Sequence, residues 1–334
     1  MDAVTESITK NRQSDDALRA MVARAFGPDQ VPQGDGGWAE ELGHGWFNVA
    51  YKVRLRDGRH VALKIAPPAG VEVMTYEADM MRTEVHALRL IGEQTDIPVP
   101  AVHFFDESRE LCDAPYFFME FADGENLGIV ARDLDEAHYR RLQVERGSAN
   151  RKINDVKGTH FGPLLAEPTT ATWREVFCGI VEDVLTDGER RAVDLGLGYE
   201  VIRGIVRDNA HSLDEVTEPS LIVWDLWDLN VLVHNGEITA FLDHERALYG
   251  DPLMEGGFVA VEAEGAPGHL PSFLRGYGKD AFTDTERLRR RLYTLHLMLV
   301  MVVETVYRGH TDPAQYDYAR RGLAVAVESF GRGA

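Results

Sequence analysis

Hydrophobic and polar positions change period several times along the chain, and each change marks an element. Leu18, Met21, Val22 and Phe26 recur at helical spacing within residues 14–26, with Ser14 or Asp15 placed to cap the helix. From Trp46 to Leu55 the pattern turns to strand, Arg56-Asp57-Gly58-Arg59 reads as a turn, and His60–Ile65 reads as the returning strand. Pro67-Pro68 ends it. Met80, Met81, Val85, Leu88 and Ile91 form an apolar stripe that predicts a helix over 76–93. Tyr116–Phe121 is apolar until Glu120 and predicts a buried strand, and Asp123-Gly124 breaks it.

Beyond that break the pattern is mainly helical. Residues 135–151 and 172–186 are predicted helices, joined by a loop punctuated by Gly158, Gly162 and Pro163. A helix is expected near 190–216, a strand pair at 221–243, and mainly helix over 280–331. The Arg-, Asn- and Gly-rich content of 140–170 otherwise suggests a mobile insertion. The expected architecture is α+β and two-lobed: a sheet-rich lobe over 1–122 and a larger helical lobe over 123–334, with a ligand cleft between them.

Composition narrows the possibilities. The chain has 334 residues, 44% of them hydrophobic and 9% aromatic, enough for full cores in two lobes. Its formal charge of −20 argues against broad binding to nucleic acid or to an anionic membrane, which needs a basic face. The most apolar window, Leu295–Val303, is cut by Glu304 and is shorter than the roughly 18 residues a membrane span needs. Cys112 and Cys178 match no metal spacing, and reduced thiols are expected. The N-terminus has no apolar run of signal type, so a cytoplasmic location is expected. Oligomeric state is left open.

The chemistry concentrates in Leu221–Asp243. Asn235-Gly236 suits a tight hairpin turn, because both residues tolerate positive φ. Such a hairpin returns Asp243, just past its second strand, to Asn230, just before its first, with Asp225 five residues upstream of Asn230. Two carboxylates and an amide oxygen at one end of a hairpin are hard oxygen ligands that suit Mg²⁺. Upstream, Lys64 lies inside an apolar strand, and Glu84 lies on the following helix, placed to pair with it. Gly43-His44-Gly45 precedes a strand where a phosphate-covering loop would sit. Met119-Glu120-Phe121-Ala122 follows a buried strand where an inter-lobe hinge could offer backbone groups to adenine. That order of parts is the one phosphoryl transfer by kinase-type enzymes uses.

With these residues in view, the chain resembles the aminoglycoside phosphotransferase and choline kinase family of small-molecule kinases, from Gly43 to about residue 310. That family carries H-G-D-x-H-x-x-N, then I-D-W-E and G-D-P. Here the matching text is Val223-Trp224-Asp225-Leu226-Trp227-Asp228-Leu229-Asn230, Leu242-Asp243-His244-Glu245 and Gly250-Asp251-Pro252. The resemblance implies Asp225 as the catalytic Asp, Asn230 and Asp243 as magnesium ligands, and Lys64 with Glu84 as the phosphate-anchoring pair. Gly43, Gly45, Glu120 and Ala122 are implied in ATP binding. The chain departs at the His-Gly pair, replaced by Val223-Trp224, and at the second His, replaced by Trp227. Its Trp-Asp-Leu-Trp-Asp-x-Asn text is closest to glucosamine kinases within this fold.

Six residues separate Asp243 from Gly250, too few for a peptide-holding segment, so the acceptor is expected to be small. Asp228, Glu255 and Glu304 together suggest a cationic acceptor, although Glu304 also has Arg308 one turn on. Trp224 and Trp227 could stack on a sugar face. The expected activity is ATP-dependent phosphorylation of an amino sugar, glucosamine to glucosamine 6-phosphate. The alternatives are an aminoglycoside antibiotic phosphotransferase and a catalytically inactive nucleotide-binding pseudokinase.

Overall fold

Period-two alternation along Val49–Arg54 and His60–Ile65 puts one side of each strand into a core. The computed structural model describes residues 7–34, 36–43, 47–259, 268–310 and 313–331. Its contacts group into two compact units. The first takes the chain up to Val73, Pro100–Ala122 and Tyr307–Thr311, and the second takes the rest.

In the first unit, helix α1 (Asp15–Phe26) is capped by Ser14, whose hydroxyl accepts the Ala17 N–H. Strands β1 (Ala39–Glu41), β2 (Val49–Arg54), β3 (His60–Ile65), β4 (Val102–Asp106) and β5 (Tyr116–Glu120) form an antiparallel sheet in the order β1-β2-β3-β5-β4. Val49, Tyr51 and Val53 of β2, Val61, Leu63 and Ile65 of β3, and Tyr116 and Phe118 of β5 share one face. That face packs with Leu18, Met21 and Val22 of α1. Each such aliphatic side chain contributes about 1.5–3 kcal/mol by leaving water, which holds the helix on the sheet. Alternation then sends Lys64 to the opposite face, half-buried, in register with Ala50 and Phe117.

The second unit begins with α2 (Met80–Gln94) and continues through β6 (Glu125–Asn126), α3 (Leu127–Val130), α4 (Glu136–Asn154), β7 (Gly162–Pro163), α5 (Trp173–Arg190) and α6 (Tyr199–Asn209). Strands β8 (Ser220–Ile222), β9 (Val231–His234), β10 (Glu237–Phe241) and β11 (Leu248–Gly250) follow, and helices α7 (Gly256–Val259), α8 (Leu270–Tyr277), α9 (Asp284–Tyr307) and α10 (Pro313–Glu328) complete it. The strands make two small antiparallel sheets, β10-β9-β6 and β7-β11-β8. Asn235 (φ 50°) and Gly236 (φ 82°) form the expected turn between β9 and β10.

Two expectations need correction. Residues 140–170 are not a mobile insertion: α4 buries Leu142, Ala149 and Ile153 against Leu221, Leu226, Val231 and Phe241, in one core with Ala87 and Ile91 of α2. Its arginines and asparagines misled because Arg146, Asn150 and Asn154 are themselves buried, which composition does not reveal. The helix expected near 190–216 starts only at Tyr199, because Gly196 (φ 77°) turns the chain first, and its end tightens into a 3₁₀ turn over Ala210–Glu215. The apolar window Leu295–Val303 lies inside α9, with Leu295, Met298, Leu299, Val300, Val302 and Val303 buried. Among the described residues no helix is long and apolar enough to cross a membrane.

Candidate active site

The loop from Val223 to Asn230 leaves the buried strand β8 and enters the hairpin strand β9. Three connections fix its shape. The Asn230 side-chain N–H donates to the Asp225 carbonyl at 3.0 Å, and the Asn230 backbone N–H donates to the Trp227 carbonyl at 3.0 Å. The Leu242 N–H donates to the Asn230 carbonyl at 2.8 Å, just past the end of β10. The next residue, Asp243, is thereby brought back to the start of the hairpin, in a left-handed conformation (φ 67°). The convergence of Asp225, Asn230 and Asp243 follows from one two-residue turn and the pairing of two strands.

The loop is also held from below by Glu255. Its buried carboxylate accepts the Val223 N–H and the Leu226 N–H, each at 3.0 Å, and so spans the two sides of Asp225. The Gly256 N–H donates to it at 3.3 Å and to the Trp224 carbonyl at 3.0 Å. Burial pushes the Glu255 carboxyl up to about 7, against the pull of those three N–H groups. Glu255 is therefore a loop anchor, not an acceptor-binding group as its position after G-D-P had suggested.

Asp228 is corrected in the same way. It is fully buried, ion-paired to Arg146 at 2.9 Å, and accepts from Gln143 at 2.8 Å and the Tyr139 hydroxyl at 2.5 Å. Three residues of α4 thus occupy the carboxylate that was expected to meet an amine. Trp224 adopts φ 62° at the position where the family has glycine, a conformation that costs a bulky side chain. Its buried ring stacks on His296 (4.9 Å, 25°) and lies under the Arg246 guanidinium, so it is not free for a sugar. Trp227 is half-buried, its backbone N–H donating to the Asp225 carbonyl at 2.9 Å.

Glu304 pairs with Arg246 at 3.3 Å, and Arg246 lies 3.7 Å from the Asp225 carboxylate. Burial pushes the Asp225 carboxyl up to about 6. Arg246 opposes the shift, and the negative charges of Asp243 and Glu304 add to it. A partly protonated aspartate at neutral pH, raised by burial and by like charges, is a mark of functional sites.

Ligand oxygens of Glu84, Asp243 and Glu245 lie within 4.8 Å of one another. Like charges this close favour a shared cation, and an all-oxygen donor set suits Mg²⁺. Asp243 and Asn230 could hold it with Glu84 or Glu245, and Mg²⁺ there would supply positive charge for a phosphoryl group. Glu245 was not singled out in the sequence, although the I-D-W-E text contained it.

The remaining expected residues lie in the first unit. Lys64 is on β3, and Gly43 follows Leu42, whose N–H bonds to the Ala50 carbonyl at 2.8 Å. Glu120 ends β5 exposed, its N–H donating to Ala101 at 2.8 Å, and Ala122 lies two residues beyond. Gly45, with His44 and Trp46, lies outside the described residues. The G-D-P text has a structural basis. A Cβ on Gly250 would stand 2.6 Å from the Trp173 ring, and Asp251 accepts from Arg289 at 2.8 Å and Tyr293 at 2.7 Å, tying β11 to α9.

Solved structures share this fold. Aminoglycoside phosphotransferase APH(4)-Ia, as a thermostable mutant in a ternary complex with ADP and hygromycin B, aligns with a TM-score of 0.67 and 19% identity. The alignment covers 95% of this chain and 100% of that one. A provisionally assigned fructosamine-3-kinase from Thermobifida fusca aligns at 0.67 and 20% identity, over 96% and 100%. Between residues 38 and 293 the sequence itself matches the phosphotransferase enzyme family, and with that span covering most of the chain, the protein belongs to this family.

Proposed function

We propose that this protein transfers the γ-phosphoryl group of ATP to a hydroxyl of a sugar-sized small molecule. The observation that carries the reading is the convergence of Asp225, Asn230 and Asp243 at the open end of one hairpin, in a member of a phosphotransferase family. In this reading Asp225 orients the acceptor hydroxyl and takes its proton. Asn230 and Asp243 would hold Mg²⁺, which would supply positive charge for the phosphates, and Lys64 neutralises developing charge. Gly43, Gly45, Glu120 and Ala122 belong to the nucleotide side and Glu84 to the metal or to Lys64.

The narrower expectation was phosphorylation of glucosamine to glucosamine 6-phosphate. It drew on three carboxylates for the amine. Asp228 and Glu255 hold Arg146 and backbone N–H groups, and Glu304 pairs with Arg246. An aminoglycoside, with several ammonium groups, asks for more free carboxylates still. Glucosamine therefore enters the test as one acceptor among several. ADP release is measured with MgATP and a panel of neutral, amino and acidic sugars, in wild type and Asp225→Asn. A positioned base contributes about 10²–10⁴-fold, so the variant is expected to lose at least about 10²-fold in kcat with KM for ATP little changed. Near wild-type turnover by Asp225→Asn would refute the assignment.

A further inference from the structure

Arg246 follows Glu245 and is not used by the reading above. Its guanidinium lies over the Trp224 ring at 5.0 Å and the Tyr76 ring at 5.4 Å, donates through Nη2 toward Glu304 at 3.3 Å, and places Nε 3.7 Å from the Asp225 carboxylate. The side chain is only 14% exposed. Two aromatic faces and two carboxylates hold a planar, permanently charged group in one place. Arginine keeps its charge in proteins, and the Asp225 and Glu304 carboxylates stand beside it. His296, stacked on the same indole, stays neutral, since burial and Arg246 both lower its pKa, to about 3. Val223 and Trp227, which stand where the family has histidines, bring no charge to the loop. Among the described residues of this unit, Arg246 is thus the cation that stands beside Asp225.

A hydroxyl that gives its proton to Asp225 sits within about 2.6–3.2 Å of that carboxylate. Atoms flanking the hydroxyl on the acceptor then come within reach of the guanidinium. An oxygen there gains a charged donor, whereas an ammonium meets a like charge. Resting on the kinase reading, we propose that Arg246 selects the acceptor: it binds hydroxyl or carboxylate oxygens next to the phosphorylated hydroxyl, so the substrate class is neutral sugars and sugar acids and amino sugars are disfavoured.

The test compares kcat/KM for glucose, gluconate, glucosamine and 3-amino-3-deoxyglucose, in wild type and Arg246→Gln, with MgATP binding followed separately by thermal shift. Wild type is expected to favour glucose or gluconate over both amino sugars by about tenfold or more. Arg246→Gln, a shorter side chain that keeps hydrogen-bonding groups but loses the charge, should narrow that lead to within about threefold, mainly through acceptor KM, and leave KM for ATP unchanged. A wild-type preference for an amino sugar would overturn the proposal, and this arm does not depend on how well the variant folds. An equal loss of all four acceptors in Arg246→Gln would overturn it too, since it would mark a merely structural arginine. No turnover of any of the four while MgATP still binds would exclude the acceptor class. Absence of any MgATP shift would refute the kinase reading instead.

Discussion

Replacing Glu255 by Gln tests whether the loop that carries Asp225 is held by a carboxylate bridge. One carboxylate oxygen accepts the Val223 N–H at 3.0 Å and the other accepts the Leu226 N–H at 3.0 Å and the Gly256 N–H at 3.3 Å. Gln keeps the shape but offers oxygen on one side only. On the other side an amide N–H₂ faces a backbone N–H, and two buried donors are left opposed. Above pH 7, where most of the Glu255 carboxyl is ionised, a hydrogen bond to it is one to a charged group, worth about 1.5–3 kcal/mol, and an unsatisfied buried donor costs about 1–3 kcal/mol. A loss of roughly 2–4 kcal/mol is expected, which for a domain of this size lowers Tm by roughly 4–10 °C. Asp225 lies between the two anchored N–H groups, so relaxation of either one moves it. Misplacement of a reacting group by about 1 Å costs on the order of 10²-fold, so kcat should fall by about 10–100-fold with little change in KM for ATP. Scanning calorimetry and ADP release measure both quantities. Glu237→Gln, an exposed carboxylate, serves as the control and should stay within about 0.5 kcal/mol of wild type. If Glu255→Gln kept Tm within about 1 °C and kcat within twofold, the bridge would have no role in holding Asp225.

Other outcomes follow from the same geometry. The acid limb of kcat/KM should lie near pH 6, not near 4: burial raises the Asp225 carboxyl to about 6, and below that value it is protonated and cannot take the hydroxyl proton. Asp228→Asn leaves the Arg146 guanidinium charged and buried without its partner, so roughly 3–5 kcal/mol of stability should be lost, read as a lower Tm, while acceptor preference stays as in wild type. Asp243→Ala removes an anionic ligand from the Glu84–Asp243–Glu245 cluster; both magnesium-dependent turnover and the thermal shift produced by Mg²⁺ are expected to disappear, and full activity at ordinary magnesium would refute the metal assignment.

Much of the architecture was legible because local patterns and tertiary needs agree. Period-two alternation in β2 and β3 is the same alternation that faces α1, and Asn235-Gly236 carries its own turn geometry, so the return of Asp243 to Asn230 could be read without coordinates. The loop text and G-D-P gave the family for the same reason: each letter answers a close contact, such as Gly250 under Trp173. What the chain alone did not reveal is which charges meet. Glu255, Asp228 and Glu304 look alike as acidic residues in a row of apolar neighbours. Only the fold brings the first to backbone N–H groups of the loop, the second to Arg146 on α4, and the third to Arg246. Composition also made residues 140–170 look like a mobile insertion, because a buried arginine or asparagine is legible only beside its partner. Charges act through space over a few ångströms, and residues 146 and 228, or 246 and 304, are far apart in sequence. The residues proposed for catalysis and for the metal were therefore local knowledge, whereas the charge preference proposed for the acceptor depends on pairings that tertiary structure alone decides.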